Sequence, residues 1–569
     1  MEFLKNNLMI VLLCVILAIV IPFLVYYLRT AKRDHPKGLI AAALSNMGER
    51  FGYYIMNAIL LLFLVSKFGL PDGVAGIIYS VFYFGIYVLA LVGGIIADRT
   101  QNYHRTIQWG LMIMAIGYVC LAIPLFSRDA QGIISDWTLN AEGELVHPFK
   151  WWAILIFTCA ALLMIAFGNG LFKGNLQALV GQLYDNFEAE AAKKGPEALA
   201  EAKDRRDSGF QIFYVFINIG GVIAPFVAPL LRTWWLKAHN FIYNADMPAL
   251  CHQYLKDGTV TTKFTETMGN SVIDASAATD LTQFCSDYIG VYNQGVHFAF
   301  IASMIAMMIS LVVFITQKKK FPQPGKKLAA EVAGYTPEEK AAMAKEIKQR
   351  MAALFAVLGI AVFFWLSFHQ NGQSLMVFAR DFVNSEWLAP EITQSLNPLF
   401  VIILTPIVMG IFASLARKGK AVSTPRKIAL GMFIAGLAYL FLMLLSLGNG
   451  YPSGDEFRAM DSSAMAAAGL HKQGYWVMFV VYFFLTVAEL FISPLGLSFV
   501  SKVAPRHLQG LCQGLWLAAT AIGNLFIFVG PLMYNAWPIW VCWTVFLCIC
   551  IVSMSIMLGM VKWLERVTA

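Results

Sequence analysis

Four charged residues stand in stretches otherwise apolar enough to cross a bilayer: Glu49, Arg50, Lys173 and Glu489. The first two lie about a dozen residues beyond Leu39, where their apolar run begins; at about 1.5 Å per residue that is near mid-membrane. A charge at that depth costs about 2.5–3.5 kcal/mol on insertion scales, so it implies a partner, a wet cavity and a function. Asn46, Glu49, Arg50 and Tyr53 recur at i, i+3, i+4 and i+7, which is one face of a helix. That face is expected to line a cavity, not lipid. Lys173 sits in Gly168-Asn169-Gly170-Leu171-Phe172-Lys173-Gly174-Asn175, and Glu489 in Val487-Ala488-Glu489-Leu490-Phe491-Ile492-Ser493-Pro494. Two negative and two positive charges, contributed by both parts of the chain, suit a site that closes around a zwitterion. The plainer alternative is two internal ion pairs that only hold helices together. Such fixed pairs would lock two halves that a transport site needs to rock.

These residues need membrane helices to position them. The chain of 569 residues is 59% apolar and only 13% charged, the balance of a polytopic membrane protein. Candidate spans are 8–28, 39–66, 74–97, 106–126, 150–183, 209–235, 295–316, 351–378, 396–416, 427–447, 474–503, 510–533 and 536–562. Segment 8–28 has a long apolar core and is followed by Tyr26-Tyr27-Leu28-Arg29 instead of a small-residue cleavage site, so it is expected to be a retained helix. Placing the N-terminus outside puts 29 of the 42 Lys and Arg residues in inner loops and the inner tail. The positive-inside rule therefore favours an outside N-terminus and a cytoplasmic C-terminus. The net charge of +8 sorts by membrane side and is not a nucleic-acid footprint.

The expected fold is an all-α membrane protein of two six-helix bundles plus one extra N-terminal helix. Its parts are the extra helix in 1–38, a bundle at 39–316 with an outer insert at 236–294, a cytoplasmic linker at 317–350, and a second bundle at 351–569. The linker carries Lys318-Lys319-Lys320 and a helix-start signature, Thr336-Pro337-Glu338-Glu339, and is read as holding a short amphipathic surface helix. A six-and-six layout is that of transporters built from two related halves. The polar segment 236–294 contains Cys251 and Cys285, which could pair if they face an oxidising compartment. The other seven cysteines fall in apolar spans. No spacing suggests a metal site and no cofactor is implied. There is no H-E-x-x-H, G-x-S-x-G or Walker phosphate loop, which disfavours membrane hydrolysis and ATP-driven pumping.

The segment Asn46-Met47-Gly48-Glu49-Arg50-Phe51-Gly52-Tyr53-Tyr54 resembles the E-x-x-E-R-F-x-Y-Y signature of the proton-dependent oligopeptide transporter family, within the major facilitator superfamily. Phe213-Tyr214-Val215-Phe216-Ile217-Asn218-Ile219-Gly220 matches its F-Y-x-x-I-N-x-G motif. The Lys173 and Glu489 segments are similar to its helix-four and helix-ten motifs. Trp516 and Gly523-Asn524 echo its helix eleven, and Gly93-Gly94-Ile95-Ile96-Ala97-Asp98-Arg99 matches the superfamily's inner-loop motif. By this resemblance Arg50 and Lys173 would hold a peptide carboxylate. Glu489, Asn218 and Asn397 would hold its amino end, and Tyr53, Tyr54 and Tyr87 would bond its peptide groups. Asp98 and Arg99 would stabilise one state of the inner gate. The chemistry agrees: carboxylates want Arg and Lys donors, and varied side chains want an aromatic wall. Trp365 and Trp516 could line the pocket or pack against lipid, and Tyr87 could equally be an interface tyrosine.

Two positions depart from the family pattern. Its first signature Glu is Asn46, which cannot carry a proton. Helix seven usually reads F-x-x-x-F-E-Q, and here reads Phe364-Trp365-Leu366-Ser367-Phe368-His369-Gln370. Glu49, His369 and Glu489 are left as candidate proton carriers; an imidazole with an ordinary pKa of about 6.5 can load and release protons near neutrality. The resemblance implies a cell-membrane secondary transporter that imports di- and tripeptides with protons by alternating access. One alternative is an uncoupled or differently coupled carrier of another small zwitterion or anion. Another is a transport-dead sensor or scaffold. A protein partner at 236–294 or at helix 8–28 is open but has no residue to support it.

Overall fold

The computed structural model describes residues 2–100, 102–274, 280–321, 337–384, 389–418, 422–503 and 509–568. It is built of helices. Helix α1 spans Glu2–Asp34, α2 Leu39–Phe68, α3 Asp72–Thr100, α4 Tyr103–Ala122, α5 Phe149–Ala192 and α6 Pro196–Ala238. Two short helices follow, α7 Met247–Asp257 and α8 Thr262–Gly269, then α9 Leu281–Thr316. The rest of the chain forms α10 Pro337–Phe368, α11 Ser374–Phe382, α12 Leu396–Arg417, α13 Thr424–Gly448, α14 Gly454–Ala459, α15 Ser462–Ala467, α16 Trp476–Val503, α17 Gln509–Leu525, α18 Val529–Ala536 and α19 Ile539–Thr568. A small antiparallel hairpin pairs β1, Thr138–Leu139, with β2, Leu145–Val146.

Among the described residues, twelve segments are long and apolar enough to cross a membrane. They coincide with twelve of the thirteen expected spans. The remaining one, 396–416, is α12, a helix of 22 residues and so about 33 Å long. Length and composition together make this a multi-pass membrane protein.

The helices pack as two groups. In the first, α2 lies against α6 and α9, while α5 lies against α3 and α4; in the second, α13 lies against α16 and α19, and α10 against α17 and α19. Contacts of α3 with α17 and of α6 with α12 join the groups. Helices α4 and α5 approach closely because both contribute glycine: a Cβ on Gly168 would lie 2.6 Å from the Gly110 carbonyl oxygen. Helix α1 rests on α6 and leaves Ile10, Val15, Ile21 and Val25 exposed, as lipid contact requires.

Several expected boundaries are corrected. The inner loop expected at 184–208 is mostly helix, because α5 and α6 run to 44 and 43 residues. That is about 65 Å each, roughly twice the hydrocarbon thickness. The Ala/Glu/Lys-rich sequence favours helix, and only Gly195, at φ 125°, followed by Pro196 turns the chain. The separate surface helix expected in the linker is instead the start of α10, which is continuous from Pro337 to Phe368; residues 322–336 lie outside those described. The insert expected to reach 294 ends earlier. Asp280 caps α9 by accepting bonds from the Thr282 and Gln283 amides, and the helix runs on from there.

Two spans are broken. A 3₁₀ turn at His369–Gly372 separates α10 from α11, and three residues separate α17 from α18. The breaks meet: Gln370 Nε2 donates to the Ile527 carbonyl oxygen at 3.0 Å. Such packing satisfies backbone groups that an interrupted membrane helix frees.

Candidate functional site

Below, the end of the molecule bearing α7 and α8 is the insert end, and the end bearing the Lys318–Lys320 turn is the linker end. The α2 face predicted to avoid lipid does so, since Asn46, Glu49, Arg50 and Tyr53 are all buried. Arg50 Nε donates to Glu49 Oε2 at 2.7 Å, and Asn169 of α5 donates through Nδ2 to the other Glu49 oxygen. The Arg50 guanidinium also lies 4.7 Å from the Tyr53 ring centroid, a cation–π distance. The Lys173 ammonium lies 3.8 Å from the Tyr87 ring centroid, and the Tyr87 and Tyr53 hydroxyls are 3.5 Å apart. No carboxylate comes within ion-pair distance of Lys173 among the described residues. Arg50 and Lys173 therefore converge with one acid, Glu49, between them. This is a donor-rich patch suited to an incoming carboxylate.

The second group supplies the opposite charge. Asn397 of α12 donates through Nδ2 to Glu489 Oε2 on α16 at 2.7 Å and to Thr486 Oγ1 at 3.1 Å. Tyr54 stands between the two patches, within electrostatic reach of Arg50, Glu49 and Glu489. Its approach to α6 and α12 depends on Gly221, where a Cβ would lie 2.7 Å from the Tyr54 ring and 2.8 Å from Pro398 Cγ. Asn218 of α6 is buried and donates to the Tyr214 carbonyl oxygen at 3.0 Å. Lys173, Tyr54, Tyr87, Asn397 and Glu489 are only half-buried. The half-buried members of both charge patches are these five residues.

His369 lies in the 3₁₀ turn, buried. Its Nδ1 meets the Asn524 side-chain oxygen. The ring stacks on Trp365 with centroids 5.0 Å apart and lies 6.3 Å from the Tyr87 ring. Trp365 and Trp516 are both buried in protein, not set against lipid. His297 is a second histidine buried within a span; it bonds Lys67 Nζ at 2.6 Å and the Leu121 carbonyl oxygen. Asp98 and Arg99 fall near the linker end of α3, but their side chains lie outside those described. Cys251 and Cys285 are buried side by side on α7 and α9, as two thiols in hydrogen-bonding contact.

Sequence reasoning missed the groups that join the halves at the insert end. Arg380 binds Asp72 at 3.0 and 3.2 Å and also Asp381; Arg458 binds Asp381 at 2.8 Å and Asp72 at 3.3 Å. Arg232 of α6 pairs with Glu391, just before α12. Gln373 donates to the Gly76 carbonyl oxygen and to Ser80 Oγ, and Asn57 donates to Gln394 Oε1. These contacts close the insert end.

The model of the POT family matches residues 104–337 and 331–536. The chain belongs to the POT family. It is 26% identical over 519 residues to a protein named peptide transporter YePEPT from Yersinia enterocolitica, covering 86% of each chain. It is 27% identical over 502 residues to dipeptide and tripeptide permease B of Shigella dysenteriae, covering 85% of this chain and 84% of that one. A crystal structure of peptide transporter POT in complex with sulfate superposes with a TM-score of 0.63 at 22% identity, covering 94% of this chain and 96% of the other. That likeness gives this POT-family chain the major facilitator fold of two helical bundles.

Proposed function

We propose that this POT-family protein is a secondary transporter that imports di- and tripeptides with protons across a cell membrane. One observation carries the reading: two charge patches of opposite character face each other across a half-buried space, one on each group of helices. Arg50 and Lys173 bind the peptide carboxylate. Glu489, Asn397 and Asn218 bind the amino end, and Tyr53, Tyr54 and Tyr87 bond the peptide groups, with Trp516 behind them. The names of its relatives in Yersinia and Shigella support the same substrate class. The moving parts are the bundles at 39–316 and 351–569, joined by the linker at 317–350, with 1–38 as an added helix. The insert end faces outside, with the N-terminus, and the C-terminus is cytoplasmic. Asp98 and Arg99 steady the linker-end gate.

Uptake of a peptide panel into proteoliposomes, with and without a pH gradient, tests this. Peptide-specific uptake driven by inward protons is expected, and peptide-independent flux contradicts it. Asn46 and His369, standing where the family has acids, favour a second reading as an uncoupled carrier. In that case uptake runs only down the peptide gradient.

A further inference from the structure

Taking the two bundles as the moving parts of the proposed transporter, we infer that the insert is a strap. It is built onto the first bundle, α8 latches it to the second, and the latch lets go each time the insert end opens. The anchoring is extensive. On α7, Cys251 meets Cys285 of α9, and His252 meets both Asp136 and the Ser66 carbonyl oxygen. The Tyr288 hydroxyl of α9 accepts from the Asn244 amide at 3.0 Å and donates to the Ile242 carbonyl oxygen at 2.9 Å. The base of the insert closes on itself: the Ile242 amide donates to the Ser271 carbonyl oxygen at 2.8 Å, and the Ile273 amide to that of Asn240 at 2.9 Å. Phe264 of α8 is buried, with its ring centroid 5.5 Å from that of Tyr254 on α7. The insert therefore moves with the first bundle.

Helix α8 reaches the other way. Lys263 and Glu266 are three residues apart and share one face of the helix. That face meets residues 458–462, where α14 ends and α15 begins. Lys263 Nζ donates to the Arg458 carbonyl oxygen at 2.7 Å. The Ser462 amide donates to Glu266 Oε2 at 3.3 Å, and the Ser462 hydroxyl donates to the same oxygen. Between them the Thr262 hydroxyl bonds the Asp461 carboxylate. The last carbonyls and first amides of a helix lack partners within it, so an ammonium suits the end of α14 and a carboxylate the start of α15. Arg458 is itself held by Asp381 of α11, so the latch grips a fixed part of the second bundle.

The latch is built to part. Lys263 has an acid on its own side, Asp246 at 3.6 Å, while Glu266 is half-buried and Ser462 exposed. Releasing it exchanges these hydrogen bonds for bonds to water and strands no buried charge. Beneath the strap lies a cavity of about 240 Å³, with Asp246 and Lys263 on the insert's side and Arg380 and Arg458 on that of the second bundle. A strap that spans this space cannot stay latched while the bundles separate there.

The test is a removable tether across the latch. Glu266→Cys/Ser462→Cys is cross-linked with a short bis-methanethiosulfonate, and counterflow exchange of L-Ala-L-Ala is followed in proteoliposomes. Exchange should fall to the level of protein-free liposomes and return with dithiothreitol, while the parent treated in the same way is unaffected. Exchange by the tethered protein at the rate of its untethered form would overturn the inference, as would failure of the two cysteines to cross-link. Opening itself is read from spin labels at cysteines placed at the exposed Gln131 and Lys472, with Cys14→Ser and Cys548→Ser removing the exposed native thiols. Lys263→Ala/Glu266→Ala should shift the label separation towards longer distances than in the parent, and an unchanged distribution would overturn the strap. Should that variant fail to fold, the tether alone decides. Absence of dipeptide exchange in the parent would sink the transport proposal alone, and the strap is then judged on the labels.

Discussion

On the proposed reading, Arg50 and Lys173 hold the peptide carboxylate, and their surroundings differ. Arg50 is already paired with Glu49, whereas Lys173 faces an aromatic ring and, among the described residues, has no acid within ion-pair distance. Arg50→Ala and Lys173→Ala should each weaken peptide binding by about 1.5–3 kcal/mol, the range for a hydrogen bond to a charged group. Titration calorimetry should show the loss for free-carboxylate peptides and not for their amides; equal affinity of variant and parent removes the residue from the site. For coupling, His369 and Glu49 make opposite predictions. His369 meets an amide side-chain oxygen, a contact Gln can imitate, and no acid lies within ion-pair distance of it among the described residues. If the histidine carries the proton, His369→Gln should lose gradient-driven accumulation yet keep counterflow exchange. If His369→Gln accumulates normally and Glu49→Gln does not, the signature acid is the carrier. The positions of Glu49, Arg50, Lys173 and Glu489 were legible in the sequence because a membrane makes every interior charge conspicuous. Asn169 and Asn524, which hold Glu49 and His369, were not read as partners, because an amide in a span has many possible roles. The seam pairs were illegible for another reason: Asp72 and Arg380 are 308 positions apart, and Arg232 and Glu391 are 159 apart.

At the scale of elements, hydropathy located every spanning helix but not where helix continues past the membrane or breaks inside it. The long ends of α5 and α6 are polar, so an apolar window stops short of them. The break after α10 had a local sign, the turn-forming dipeptide Asn371-Gly372, hidden within an apolar run. The insert is tied to the bundle by His252, whose Nδ1 meets Asp136 at 2.6 Å and whose Nε2 meets the Ser66 carbonyl oxygen at 2.9 Å. Burial pushes the imidazole pKa down, but the Asp136 charge and these hydrogen bonds carry it above the ordinary 6.5. A raised folded-state pKa stabilises fully below 6.5 and is lost as pH rises through the raised value. His252→Gln should therefore cost about 1.5–3 kcal/mol at pH 6. The difference in thermal unfolding between variant and parent should shrink steadily above neutral pH; a pH-independent difference contradicts the charged pair. Cys251 and Cys285 add a second tie. Burial pushes the Cys251 thiol pKa well above its usual range, which keeps that side chain a thiol and not a thiolate. In mature protein made through an oxidising compartment, mass spectrometry of non-reduced digests should find them bridged, and two free thiols would rule the bridge out.

At the scale of the whole molecule, two groups of helices meet in a seam that is bonded at the insert end and carries a charge patch from each group at its centre. In the proposed mechanism a rocking motion about that centre would expose the site to one side at a time, with the charges at both ends of a short peptide drawing the groups together around it. The extra helix α1 stands on the rim of this arrangement, resting on α6. The most direct measurement is accumulation of a labelled dipeptide in proteoliposomes under an imposed inward proton gradient, for the parent and for Lys173→Ala. The parent should concentrate the dipeptide above its outside level, collapse to equilibration when a protonophore is added, and lose uptake in Lys173→Ala. Accumulation that ignores both the peptide's carboxylate and Lys173, or no dipeptide flux under any gradient, would contradict the account.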